Sequence, residues 1–187
     1  MATLNPKVLQ WASGQVGKQI GAGECWDLAN KALLQAGAGT SSDFGPMDDD
    51  ADYIWGDEVA ALKDALPGDI LQYRDYEMTT TTTTDVTFAD DSGWVDDPSV
   101  TVGHPHHTAI LSKNPGTGAI TVLEQNYKGN KEAVRSSTIR WKDSSTSTTT
   151  RKLMKRQDNG KMESALVVVT VDVTVTGTLK AYRPKKP

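Results

Sequence analysis

Gly21-Ala22-Gly23-Glu24-Cys25-Trp26-Asp27-Leu28-Ala29-Asn30 is the stretch on which the reading turns, because it holds the only cysteine just behind two glycines. From Cys25 onward Leu28, Ala29, Ala32, Leu33 and Ala36 recur three and four residues apart, and Gly37 follows as a stop signal. The spacing predicts a helix with Cys25 at or near its N-terminus. Unpaired N–H groups and the helix dipole at that end favour an anion, and the thiolate is the nucleophilic form of a cysteine. A lone cysteine also serves as a small buried hydrophobe. The rest of the chain has to choose between those roles.

At 187 residues the chain is long enough for one domain with a core and cramped for two, so the expectation is a single domain over 1–187. The hydrophobic share of 37% is low, and threonine-rich inserts at about 77–100 and 143–162 account for much of the deficit. A net charge of −4 gives no global attraction for nucleic acid or an anionic membrane. One cysteine excludes an internal disulfide. No run of eighteen apolar residues predicts a membrane span. Met1-Ala2-Thr3-Leu4-Asn5-Pro6 shows no basic segment followed by an apolar run, so the expectation is synthesis in the cytoplasm without a Sec-type signal.

Asn5-Pro6 reads as a helix start with Asn5 as cap; Val8, Leu9, Ala12 and Val16 mark one face, and Gly17 ends it. The acidic run Asp48-Asp49-Asp50-Ala51-Asp52 lacks the glycine and the bidentate glutamate of a calcium loop, so it reads as solvated loop. Tyr53 to Leu66 suggests a short helix carrying Trp55, Val59, Leu62 and Leu66. Pro67-Gly68-Asp69 is a turn into the strand Ile70-Leu71-Gln72-Tyr73. The two threonine-rich regions read as projecting hairpins or disordered inserts, the second ending in the basic group Arg151 to Arg156. Strands are expected at His107 to Leu111, Ala119 to Asn126 and Val134 to Trp141. A further one has alternating valines from Val167 to Val175, broken by Gly177, and a closing one runs from Thr178 to Arg183. Helices first and an antiparallel sheet after make an α+β chain.

All three histidines fall in His104-Pro105-His106-His107. Clustered imidazoles attract zinc, but Pro105 hinders convergence and the cysteine is distant in sequence, so the expectation is no metal and no cofactor. The other reading pairs one histidine with Cys25 as proton acceptor and donor. His107 begins a strand and has its direction fixed by the sheet. On the next strand Glu124 and Asn126 are two apart and share a side, so either could orient the His107 ring.

These residues resemble the CHAP domains, cysteine- and histidine-dependent amidohydrolases/peptidases of the papain-like superfamily. The resemblance is carried by Gly23-Glu24-Cys25-Trp26 with Leu28-Ala29, by Pro67-Gly68-Asp69-Ile70-Leu71, and by His107-Thr108-Ala109-Ile110-Leu111. Val122-Leu123-Glu124-Gln125-Asn126-Tyr127 and the last strand complete it. It implies a papain-like fold with a catalytic cysteine at a helix N-terminus packed on an antiparallel sheet. It further implies Cys25 as nucleophile, His107 as base, Glu124 as orienting group and Asn126 as support. Gln19 stands six residues before Cys25, the papain spacing of an oxyanion-hole donor; Trp26, Tyr127 and His106 are expected to bind substrate. Glu24 departs from the family, which often has Gln there.

The resemblance implies an amidase or endopeptidase cutting peptidoglycan peptides, acting at the cell wall after delivery as an antibacterial effector, with an immunity protein as partner, and monomeric. Alternatives are a phage endolysin, a thiol acyltransferase or deamidase on a non-wall substrate, and a non-catalytic binding module.

Overall fold

Helix α1 spans Asn5–Ser13 and helix α2 Cys25–Ala36 in the computed structural model, which describes residues 4–48 and 50–187. Met1 to Thr3, part of the N-terminal reading, and Asp49 of the acidic run lie outside the described residues. Leu4, not Asn5, caps α1, and the helix stops at Ser13 rather than running to Gly17. Asn5 is the first helical residue because its side chain is used elsewhere: Nδ2 donates to Asp69 Oδ1 at 2.6 Å and to the Pro67 carbonyl at 3.2 Å. Helix α2 buries the predicted face, Leu28, Ala29, Ala32, Leu33 and Ala36. Gly37 ends it at φ 70°, the left-handed cap that glycine tolerates, with the Ala38 N–H returning to the Leu33 carbonyl. A short helix α3 (Ser41–Phe44), not anticipated from the sequence, follows.

The residues divide into two units. Unit one holds Met1–Glu77, Gly103–Lys142 and Thr176–Pro187; unit two holds Met78–Val102 and Asp143–Val175. The strands are β1 (Asp57–Glu58), β2 (Ile70–Phe88), β3 (Gly93–Asp96), β4 (Ser99–Lys113), β5 (Ala119–Glu124), β6 (Arg135–Arg140), β7 (Ser144–Lys155) and β8 (Met162–Arg183). Three of them, β2, β4 and β8, contribute residues to both units.

In unit one the strand order is β1-β8-β2-β4-β5-β6. The β4–β5 hairpin sets Ala109 opposite Glu124 and Ile110 opposite Leu123, antiparallel. One core cluster joins Val8, Leu28, Leu33, Trp55, Ile70, Ile110, Leu123 and Tyr182. Each large apolar side chain in it contributes about 1.5–3 kcal/mol by burial. The alanines of α1 and α2 keep the two helices close to the sheet. Asp69, fully buried, ties three segments together: it accepts from Asn5, from the Leu66 N–H at 2.7 Å and from Arg183 at 3.0 Å.

Two further expectations fail in unit one. Tyr53 to Leu66 forms no α-helix; it holds β1 and a 3-10 turn at Leu62–Asp64. Gly56, at φ 146°, brings the backbone against Arg183, and Asp57 pairs with Arg183 at the sheet edge, so sheet pairing replaces helix. Gly177 does not end its strand: β8 continues to Arg183, and the missing Cβ admits the Asp75 backbone.

In unit two β8 lies between β7 and β2, and β3 pairs with the outer side of β2. The threonine runs are regular strand: Thr79 and Thr101, and Thr81 and Ser99, share hydroxyl hydrogen bonds of 2.8 and 2.9 Å. Val86, Phe88, Ala165 and Val167 form a small core backed by Trp94 and Met154. Arg156 lies over the Phe88 ring and pairs with Asp90, Asp158 and Glu163. Of the alternating valines, Val167 and Val173 are buried and the others half-buried. No helix among the described residues is long and apolar enough to cross a membrane.

Candidate active site

Cys25 is the first residue of α2, half-buried, on a turn that its neighbours hold. The Asp27 carboxylate accepts the N–H groups of Ala22 at 2.8 Å and Glu24 at 3.1 Å, closing the loop onto the helix start. Gln125, fully buried at the end of β5, clamps the same loop from the other side. Its Oε1 accepts from the Ile20 N–H at 2.6 Å, and its Nε2 donates to the carbonyls of Ile20 and Glu24 at 2.9 and 2.8 Å. Gly23, at φ 93°, leaves room for the Gln19 amide where a Cβ would collide with it.

His107, nearly buried on β4, stands between Cys25 and Glu124. Its Nε2 meets Glu124 Oε2 at 3.0 Å, so Nδ1 is the ring nitrogen left for the hydrogen bond with Cys25. Burial opposes ionisation of the Cys25 thiol. The hydrogen bond and charge of His107, joined by the N–H groups of Thr108 and Trp26, outweigh it and pull the thiol below its usual value. Burial likewise works against a charged His107, but its bonds to Cys25 and Glu124 hold it up at about 9. Glu124, although its burial favours the neutral acid, is kept ionised by His107, with a smaller contribution from Ser137. Both shifts run in the sense that favours a thiolate–imidazolium pair, and the two groups titrate as one coupled system.

A cleft of about 650 Å³ opens on this group. Cys25, Trp26, His104, His106, His107 and Tyr127 are among its walls. Trp26 is anchored by its indole N–H on Ser41 Oγ at 2.9 Å. Tyr127 carries Arg135 over its ring at 4.4 Å, and the His106 ring packs on Tyr53 at 5.3 Å. Asn126 also lines the cleft but is not a partner of His107. Strand β5 ends at Glu124, Asn126 turns into the left-handed region at φ 61°, and its Nδ2 donates to Glu24 Oε2 at 2.8 Å. The expectation that both residues share one strand face fails at that turn, and Glu124 alone reaches the imidazole. Gln19 is exposed and lies outside the cleft walls, against Gly23.

Two residues escaped sequence reading. Gln125 lies between Glu124 and Asn126, and only its distant partners Ile20 and Glu24 reveal its role. His104 is buried and stacks on His107, centroids 4.5 Å apart and planes 13° from parallel. A step of three puts neighbours on opposite faces of a regular strand, so the stacking means that the alternation slips between the two histidines. Burial, then the nearby charge of His107, push His104 down to about 4, so it is neutral beside the imidazolium. His104, His107 and Glu124 place three ligand atoms within 4.8 Å of one another, a zinc-type donor set.

Comparison with known proteins bears on the expected substrate. The model of the family described as the AIM3/BBC1 cysteine proteinase-fold domain matches residues 2–146. A yeast protein of Debaryomyces hansenii, "Altered inheritance of mitochondria protein 3", is 30% identical over 132 residues, which is 64% of this chain and 12% of that protein. The chain thus spans about an eighth of its relative's length. No solved structure matches. These findings support the cysteine-proteinase fold and overturn the CHAP-type reading of function. The expectation of a peptidoglycan hydrolase, effector or antibacterial toxin is corrected, because the matching family is AIM3/BBC1 and the named relative is a yeast protein, not a bacterial wall hydrolase. With most of its length inside that match, this chain belongs to the AIM3/BBC1 cysteine proteinase-fold domain family.

Proposed function

We propose that the site is a thiol-dependent acyl-transfer centre acting on an amide or ester of a non-wall substrate. The observation that carries this is His107 held between Cys25 and Glu124 inside an open cleft. In this reading the Cys25 thiolate attacks the acyl carbon, and the carbonyl oxygen takes the negative charge. The Cys25 N–H at the helix N-terminus is the proposed donor to that oxyanion. The His107 imidazolium gives its proton to the departing amine or alcohol, leaving a thioester on Cys25. Water, or an acceptor amine or alcohol, then loses a proton to His107 as it attacks the thioester, and the thiol is regenerated. Glu124 orients the ring and balances its charge. Trp26, Tyr127 and His106 line the space the acyl donor would fill.

The test is a pair of assays on wild type and Cys25→Ala: labelling by an electrophilic peptide probe, and release from a library of fluorogenic peptide amides and esters. Wild type is expected to label at Cys25 and to turn over some members; Cys25→Ala does neither. One observation favours a second reading, a recognition module, because Gln19 stands outside the cleft walls. Slow labelling of native protein, speeded by denaturation, would support that module and sink the acyl-transfer reading.

A further inference from the structure

The structure points to a docking surface on unit two that the catalytic reading does not use. We propose that unit two pairs edge to edge with unit two of a second copy of this chain, its basic strand β7 against the acidic edge formed by β3 and the start of β4. The unit is an open sheet. Among the described residues β7 pairs only with β8 and β3 only with β2, so every second N–H and C=O along each outer edge is unpaired by the sheet. The edges match in length: β7 runs over 144–155, and residues 93–102 lie beside β2, with the Pro98 carbonyl accepting from the Thr82 N–H. Because Pro98 faces β2, its missing N–H falls on the inner side and leaves the outer edge intact.

Charge is divided between the same two edges. Residues 78–102 contain Asp85, Asp90, Asp91, Asp96 and Asp97 and no lysine or arginine; the basic residues of the unit all lie in 143–175. Arg156 is spent inside the unit on Asp90, Asp158 and Glu163. Arg151, Lys152 and Lys155 on β7 are exposed and without an ion pair among the described residues, as are Asp96 and Asp97 across the sheet. Alternation sends Arg151 and Lys155 to one face and Lys152 to the other, and likewise separates Asp96 from Asp97, so opposite charges can meet on both faces. Edges that differ in this way join head to tail and leave a fresh edge at each end, a heterologous contact that need not close. This division of charge runs against a strictly monomeric chain.

Sedimentation velocity tests this on the whole chain. In low salt the average mass should rise above 20.2 kDa with concentration, and return to that of one chain in high salt. Reversing one edge, with Arg151→Glu and Lys152→Glu, or the other, with Asp96→Lys and Asp97→Lys, should weaken self-association about tenfold. Mixing the two variants should restore it, because each reversed edge now meets its opposite; that restoration also shows that both variants are folded. Wild type that stays a single chain at every concentration overturns the proposal, and leaves the basic edge to an acidic segment of another protein. Association that survives either reversal, or a mixture that stays monomeric, overturns it as well.

Discussion

His107 uses the two nitrogens of one ring for opposite tasks, and Glu124 is the residue that makes this stable in a buried place. Replacing Glu124 with Gln keeps the shape and removes the charge. The imidazolium then loses support, the thiol pKa rises, and alkylation of Cys25 by iodoacetamide at pH 6.5 should slow about tenfold or more. Turnover of any substrate should follow a bell in pH. Its acid limb falls where the lowered Cys25 thiol takes up a proton, and its alkaline limb falls as His107 loses one at about 9. Gln125→Ala tests a different link, the presentation of the nucleophile. It strips partners from the buried backbone of Ile20 and Glu24, and should cost about 2–4 kcal/mol in urea unfolding.

At the scale of elements, the α2 helix was legible because its apolar residues, its Gly37 stop and Cys25 itself all lie within one local pattern. The His107–Glu124 pairing was legible for a similar reason: a short hairpin joins β4 to β5, so neighbouring strands in sequence are neighbours in space. What the sequence hid depends on distant partners. Asn5 looks like a cap until the carboxylate of Asp69, remote along the chain, is brought to its side chain. Asp57 enters the sheet only because Arg183, near the other end of the chain, lies beside it. His104 stacks on His107 only because the strand's alternation slips between them. Asp69 concentrates such distant links, and Asp69→Ala removes the acceptor for Asn5, Leu66 and Arg183 at once. Arg183 stays partly solvated, but the Asn5 amide and the Leu66 N–H lose their acceptor at about 1–3 kcal/mol each, read as a lower urea midpoint with an unchanged slope.

For the molecule as a whole, the same buried histidines set how stability depends on pH. His104 has its pKa depressed in the fold to about 4 from an ordinary 6.5. Its contribution is complete above 6.5 and is lost as pH falls through about 4, because the unfolded chain binds the proton first. The loss should approach about 3 kcal/mol. His104→Gln should therefore show a flatter decline in thermal midpoint across that window than wild type. His107 has the opposite sign: its pKa is raised to about 9, so what it contributes is complete below 6.5 and lost as pH rises through about 9. The measurement that tests the central claim most directly is the ultraviolet titration of the Cys25 thiolate, which the single cysteine makes free of overlap from any other thiol. The account predicts a thiolate absorbance already present at neutral pH in wild type and absent there in His107→Ala. A thiol that titrates at its ordinary value in both proteins would contradict it.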